Sequence, residues 1–461
     1  MGLLFHYITI AIRNMRKYKN QTVISVIGLS VGLTCFAMAA LWIRYEMTFD
    51  SFHKKAKFMY VVYTPNPRSQ TGYDRSNPYL LGSHLKETFP EIANTTQVYA
   101  NTLYAGKITV DGVELSGLTI KADSSFFSMF DVKILEGSRD FLIPDNNKVA
   151  ITREKAFQLF GDQPPIGKTV TAMNREFTIC AVVTGMSKRS NYAFDFISPF
   201  SSRQINEWYI RGCNTIIELF PGTDVETFEK KLYESAIADL SGDKSSEMTI
   251  KPITKLRYTD PNVEREVPFQ HILIFSLLGF LVILCSLFNY VAMFVSRFRM
   301  RQKELALRMV CGASGGSLLA MLLVEFLLVF LLAVLLGCGL MQSVHKPFLM
   351  LSGIQMALPA IYKELLMYIG GVILLSALSL RLILFVFMRS TLNVSIRRSN
   401  NNAFRKISVA SQLAIGIGIV FCTFTMLKQV YFLRHTTELG FSLHNLGLIE
   451  MIQREFDGTV L

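Results

Sequence analysis

Apolar residues form long unbroken runs near both ends of the chain and short alternating stretches between them. Gln21–Ile43 contains no charge and is about 35 Å long as a helix, enough to cross a bilayer with some tilt. Four further runs follow: Ile272–Ser296, Ser317–Met341, Leu365–Met388 and Ile407–Leu427. The third of all five carries one acid, Glu325, and the fourth one base, Arg381. The first run exceeds the roughly 7–15 residues of a signal-peptide core, so it reads as a retained anchor. Ahead of it, Gly2–Tyr18 places Leu4, Ile8, Ala11, Ile12 and Met15 on one face and Arg13, Arg16 and Lys17 elsewhere. Such a segment either lies in the membrane interface or extends the first span inward.

The period changes between 44 and 268. Lys107–Leu115 alternates around Asp111-Gly112, a hairpin signal. Thr169–Val183 reads as two strands around Met173-Asn174-Arg175, and Val225–Leu240 has helical spacing at Val225, Phe228, Leu232, Ala236 and Ile237. Pro268 marks the return to the membrane. The expected fold is an α-helical membrane protein of four to five transmembrane helices, with an α+β extracytoplasmic domain, 44–268, inserted between helices 1 and 2. A loop, 297–316, joins the second and third spans, a linker, 389–406, joins the fourth and fifth, and 428–461 follows the last.

Charge sets the orientation. The chain has 461 residues and a formal net charge of +12, with only 18% charged residues. Lys plus Arg against Asp plus Glu is 4 to 0 over 1–20, 27 to 28 over 44–268, 5 to 1 over 297–316 and 6 to 0 over 381–406. The basic excess therefore flanks the apolar runs, and the large polar segment is balanced. That is the positive-inside pattern, not a nucleic-acid face. It puts the N-terminus, 297–316 and 389–406 in the cytoplasm and 44–268 outside it.

Candidate chemistry is sparse. Gly161-Asp162-Gln163-Pro164-Pro165-Ile166-Gly167-Lys168-Thr169 imitates a phosphate-binding loop, but five residues separate its glycines where four are needed. A helix-like segment also precedes it and a strand-like one follows, so it reads as a turn. No HExxH, CxxC or nucleophile elbow is identified, and no metal or resident cofactor is expected. Cys180 and Cys213 lie in the polar segment, and whether they pair is left open. Glu325 and Arg381 both fall about 12 Å from the cytoplasmic ends of their spans; as a pair between antiparallel helices each becomes tolerable in the membrane. The middle of 297–316 is helix-forming and Gly312 suits its end. It reads as a topogenic loop or as a docking helix for a cytoplasmic partner.

In that loop Arg301-Gln302-Lys303-Glu304-Leu305-Ala306-Leu307-Arg308, with Gly312-Ala313-Ser314, resembles the signature of FtsX-type ABC transporter permeases. The exported part looks like a MacB-type periplasmic core domain, in Tyr45-Glu46-Met47-Thr48-Phe49-Asp50-Ser51-Phe52-His53, Phe126-Phe127-Ser128-Met129-Phe130, Ala156-Phe157-Gln158-Leu159-Phe160-Gly161 and Ile166-Gly167-Lys168. The resemblance implies a non-enzymatic permease subunit of the bacterial inner membrane. ATP and Mg²⁺ would be bound by a separate cytoplasmic ATP-binding subunit, docked on Arg301, Lys303, Glu304, Leu305, Arg308 and Gly312. It also implies a homodimer or pairing with a second permease half, a periplasmic adaptor or envelope protein, and contact with membrane lipid but not nucleic acid. The cargo would be a peptide, lipoprotein or drug. The alternatives are a regulator of a cell-envelope hydrolase and an inactive fragment. Ile407–Leu427, Tyr431 and Glu438-Leu439-Gly440-Phe441 resemble the opening of a second module, within which the chain is expected to be truncated.

Overall fold

The computed structural model describes residues 2–67, 69, 72–100, 106–110, 113–172, 175–235, 237–238, 244–245, 247–259, 269–352, 354, 358–392 and 402–435. Its helices are α1 (Gly2–Lys17), α2 (Lys19–Met47), α3 (Leu81–Thr88), α4 (Ser124–Met129), α5 (Arg153–Phe160), α6 (Ser202–Asn206), α7 (Val225–Glu234), α8 (Leu256–Thr259), α9 (Phe269–Met300), α10 (Gln302–Val310), α11 (Gly315–Ser352), α12 (Leu358–Leu392) and α13 (Asn402–His435). Its strands are β1 (Met59–Pro65), β2 (Tyr73–Asp74), β3 (Asn77–Pro78), β4 (Ile92–Ala100), β5 (Gly106–Val110), β6 (Val113–Gly117), β7 (Thr119–Ala122), β8 (Ile134–Gly137), β9 (Lys148–Thr152), β10 (Thr169–Ala172), β11 (Arg175–Val183), β12 (Phe196–Ser198), β13 (Arg211–Leu219), β14 (Ile237–Ala238), β15 (Lys244–Ser245) and β16 (Thr249–Pro252). Among the described residues, five helices are long and apolar enough to cross a membrane: α2, α9, α11, α12 and α13.

Contacts divide the chain into two compact units. One comprises 1–32, 283–333 and 375–461; the other comprises 33–282 and 334–374. The second holds the sheet domain. Its principal sheet runs β16-β1-β13-β4-β7-β12-β9-β11-β10-β5-β6, with β2 on β1, β3 on β13 and β8 on β11. The β7–β12 and β9–β11 pairs are parallel and the others antiparallel. Both faces of the central strands are covered. Met59, Val61 and Tyr63 of β1 join one apolar cluster with Phe126 and Met129 of α4, while Val62 joins another with Leu85 of α3 and Phe228 and Leu232 of α7. In β9, Ala150 faces the first cluster, whereas Val149 and Ile151 face a third with Ala156 and Phe160 of α5. A strand buried on both faces reads as a continuous apolar run, because the two-residue period has no wet side.

In the same unit α11 and α12 extend beyond their apolar runs. Met341, Ile354, Ile361, Leu365 and Ile369 close on Ala37, Leu41, Tyr45 and Phe49. α11 has 38 residues and contains Pro347; at about 1.5 Å per residue it is longer than a bilayer core is thick. Hydropathy marks the lipid-facing stretch, whereas backbone hydrogen bonding continues past it. This explains why the helices outrun the spans Ser317–Met341 and Leu365–Met388.

One local expectation changes. The helix from Val225 ends at Glu234, not Leu240, because Ile237–Ala238 instead pair with Lys244–Ser245. The hairpins form as read, with Val110 opposite Val113 and Ala172 opposite Arg175. Their turns (111–112, 173–174), Pro268 and residues 436–461 lie outside the described residues. Gly167, at φ 88°, donates its N–H to Ile179 O at 2.8 Å, and Lys168 Nζ reaches Gln163 Oε1 at 2.6 Å and the Phe160 ring. The imitation phosphate loop is a structural turn.

Cys180 and Cys213 are free. β11 and β13 are separated by β4, β7, β12 and β9, hence roughly 24 Å apart at the usual strand spacing, while a disulfide needs Cα atoms within about 7 Å. Burial pushes the Cys213 thiol up to about 12 and also raises Cys180. Their thiolates are therefore scarce at neutral pH. Maleimide at pH 8 should label Cys180 slowly and Cys213 only after unfolding. A reduction-sensitive gel shift that needs both cysteines would contradict this arrangement.

Candidate functional site

The first unit contains the loop between α9 and α11. After Met300 the chain turns at Arg301, whose N–H donates to Phe298 O at 3.1 Å, and α10 begins. The far end is closed by glycine. Gly312 has φ 95°; its N–H donates to Met309 O and that of Ala313 to Arg308 O, both at 3.0 Å. This 6→1 plus 5→2 pair is a Schellman cap, which needs a left-handed residue at this position. Ser314 Oγ then accepts the Ser317 N–H at 3.2 Å and caps α11. Gly312-Ala313-Ser314-Gly315-Gly316 does spell Gly-x-Ser-x-Gly, passed over in the sequence. Here it joins two helices, not a strand to a helix, so it is not a nucleophile elbow.

Beneath α10 lies a buried charge cluster. Glu325 is 2% exposed, on α11 about 15 Å from its start. Its Oε2 accepts from Arg301 Nη1 at 2.8 Å and from Asn14 Nδ2 of α1 at 3.0 Å. Its Oε1 lies 3.8 Å from Arg297 Nη1. Arg301 Nε also reaches Glu304 Oε2 at 3.4 Å, and Glu304 Oε1 accepts from Arg308 Nη2 at 3.0 Å. Burial would raise the Glu304 pKa, but Arg301 and Arg308 outweigh it and hold the carboxyl below its ordinary range. A depressed carboxylate stabilises above its unfolded pKa and loses that contribution as the pH falls through the folded one. The Tyr7 and Ser317 hydroxyls meet at 2.8 Å. α1, α10 and α11 are thus tied by polar contacts.

The sequence-predicted residues separate into two sets. Arg301 and Leu305 are buried, and Glu304 bridges two arginines of its own chain. These three hold the helix down and do not present it to a partner. Lys303, Ala306, Leu307 and Val310 form the outward face, with Leu307 65% and Val310 85% exposed. The expected Glu325–Arg381 pair does not form. Arg381 is exposed, and Glu325 is taken by Arg301, with Arg297 close behind. The loop arginines win because the chain turns sharply on either side of α10, which brings the end of α9 and Arg301 against α11. The buried stripe of α1 also differs: Tyr7, Ile10, Ala11 and Asn14 face inward, and Leu4 and Ile12 stay exposed. Asn14 and Arg297 were missed. Their signal was a polar side chain on an otherwise apolar face opposite the single acid of a span.

The second unit contains another polar joint, where α2 meets the sheet domain. Glu46, 1% exposed, accepts from Arg257 Nε at 2.8 Å, and the Arg257 guanidinium lies over the Phe49 ring. Asp50, fully buried at φ 54°, accepts from Asn191 N at 3.1 Å, Asn191 Nδ2 at 2.8 Å and Ser190 Oγ. Its own N–H donates to Arg189 O at 3.0 Å, and Arg189 Nη2 donates to Thr48 O at 3.3 Å. Two carboxylates thereby tie the end of α2 to the loop 187–192 and to α8. Among the described residues no group of three or more His, Cys, Asp or Glu side chains converges on a metal-sized site.

Residues 22–234 match the family model of the MacB-like periplasmic core domain, and residues 276–396 that of the FtsX-like permease C-terminal domain. Among solved structures the chain is similar to a domain of a putative permease protein from Porphyromonas gingivalis, at 19% identity and TM-score 0.36 over 48% of this chain and 99% of that one. It is similar to the periplasmic region of MacB from Actinobacillus actinomycetemcomitans, at 17% and 0.33 over 44% and 91%. The extracellular domain of the noncanonic ABC-type transporter YknZ from Gram-positive bacteria gives 15% and 0.32 over 42% and 99%. No curated protein sequence matches the chain.

Two outcomes test these joints. Gly312→Val forces a β-branched side chain into a left-handed position, at about 1–2 kcal/mol. Amide exchange within α10 should speed up roughly tenfold, while that of the sheet domain is unchanged. Asp50→Ala leaves the groups around 190–191 unpaired and should destabilise by about 2–4 kcal/mol, read as a lower midpoint of thermal unfolding in detergent. An Asp50→Ala midpoint equal to wild type would remove the joint.

Proposed function

The chain belongs to the FtsX/MacB-type ABC-transporter permeases, and from that premise we propose that it transmits a nucleotide-driven movement from a cytoplasmic ATP-binding subunit to its sheet domain on the far side of the membrane. Permeases of this kind are non-enzymatic transporter components, so ATP and Mg²⁺ are bound by the partner. The orientation follows from the bases beside the spans, with α1 and α10 inside and the sheet domain outside.

The observation that carries the reading is the two-sided character of α10. Its inner side is fixed to α11 and α1 through Arg301 and Glu325. Its outer side offers Leu307 and Val310 beside Lys303. A short helix with an apolar exposed stripe fits a groove on a partner, anchored at i and i+3. A push on that stripe is delivered to two helices at once, because α10 is bounded by tight turns to α9 and α11. At the other joint Glu46 and Asp50 bind α2 to the sheet domain, so that α2 can carry displacement into the sheet domain. Substrate need not pass through the spans. The cargo in this reading is a peptide, lipoprotein or drug handled outside the cytoplasm.

Leu307→Asp and Val310→Asp should each weaken binding of the ATP-binding subunit about tenfold or more. Both side chains are exposed, so the permease's own thermal midpoint should stay within about 0.5 kcal/mol of wild type. Leu305→Asp should do the reverse and unfold α10 first. Co-purification with the subunit at wild-type levels in Leu307→Asp/Val310→Asp would refute docking on this face.

A further inference from the structure

Arg297 has no role in the contacts described so far beyond its 3.8 Å approach to Glu325. It is 2% exposed, and its Nε, Nη1 and Nη2 have no hydrogen-bond acceptor among the described residues. One guanidinium face rests on the Phe294 ring. A buried guanidinium with unmade hydrogen bonds is costly, and an arginine is kept in such a place only where something compensates it. The one buried carboxylate at hand has an asymmetric set of partners: Glu325 Oε2 takes both Arg301 and Asn14, while Oε1 faces Arg297. A shift of about 1 Å would bring Nη1 and Oε1 to hydrogen-bond distance.

We propose that Arg297 is the alternate partner of Glu325, a positioning residue that takes the carboxylate when Arg301 leaves it. Arg301 immediately precedes α10 and is tied to it through Glu304. Any displacement of α10 that draws Arg301 away would strand a buried carboxylate, at a cost that would oppose the movement. Arg297 belongs to α9 and not to α10, so an exchange of partner keeps Glu325 matched while α10 moves. The cluster then has two charge-balanced arrangements of similar cost, as a switching element needs. The role in the transport cycle rests on the permease reading above; the exchange itself does not.

Thermal unfolding of the full chain in detergent tests the exchange. Arg297→Gln alone should move the midpoint little, because its hydrogen bonds are unmade in the resting arrangement. Arg301→Gln should lower it modestly, since Arg297 takes over. Arg297→Gln/Arg301→Gln should lower it by more than the two single drops added together, and adding Glu325→Gln should recover most of that loss. Additive drops, an Arg297→Gln drop as large as that of Arg301→Gln, or no recovery with Glu325→Gln would each overturn the proposal. In the complex with the ATP-binding subunit, Arg297→Gln should leave association unchanged but reduce vanadate trapping of nucleotide several-fold, with Arg297→Lys restoring it. Trapping at the wild-type level would also overturn it. Failure of the wild-type chain to bind any ATP-binding subunit would sink the permease reading instead, while the unfolding series still decides the exchange.

Discussion

The membrane unit depends on one constraint: a carboxylate placed inside it has to be matched. Glu325 is an ionisable side chain in a run of leucine, phenylalanine and valine, where an unmatched charge would cost several kcal/mol. Its match comes from Asn14 of α1 and from Arg301 at the turn that opens α10. The position of α1 and the start of α10 are therefore specified by the same carboxylate oxygen, Oε2. Apolar packing alone would leave that register loose, because lipid tails are as good a solvent for leucine as another helix is. Tyr290 donates to Phe326 O at 2.9 Å and stacks near Phe326 and Phe330 one turn further along. Polar anchors thus set the geometry, and aromatic packing fills in around them.

The sheet domain meets its helix by the same means in different surroundings. Asp50 adopts a left-handed backbone, unusual for a residue with a side chain, and its carboxylate gathers donors from a loop about 140 positions later in sequence. Such a contact is long-range in sequence and short in space. It ties the end of a membrane helix to a loop of the sheet domain. The two buried faces of β1, β9 and β13 give that domain a continuous, close-packed interior.

Much of this could be read from the residues. The five apolar runs, the hairpins at 107–115 and 169–183 and the glycine stop at 312 follow from hydropathy, a two-residue alternation and a φ that other residues avoid. The family signature read in 301–314 lies within the residues that match the FtsX-like permease model. What failed was direction. Leu305 reads as a docking contact on the family resemblance, yet a nine-residue helix has an inner and an outer face, and only packing decides which is which. Arg381 was chosen for Glu325 by equal depth in the membrane. Depth fixes one coordinate of three, and the sharp turn from α9 into α10 supplied nearer arginines. The end of α7 was placed too late because Ala236 and Ile237 fit a helical period as well as a strand.

The internal pairing of the loop's charges shapes how the permease would meet its partner. Arg301 and Arg308 share Glu304 within the chain, which leaves Lys303 as the exposed basic side chain among the apolar ones on the outer face of α10. The loop as a whole still carries five bases to one acid, so an acidic protein would be drawn towards it at a rate that falls as ionic strength rises. Charge would then set the pace of assembly, and selectivity among competing ATP-binding proteins would come from the shape of the cleft that receives two apolar side chains.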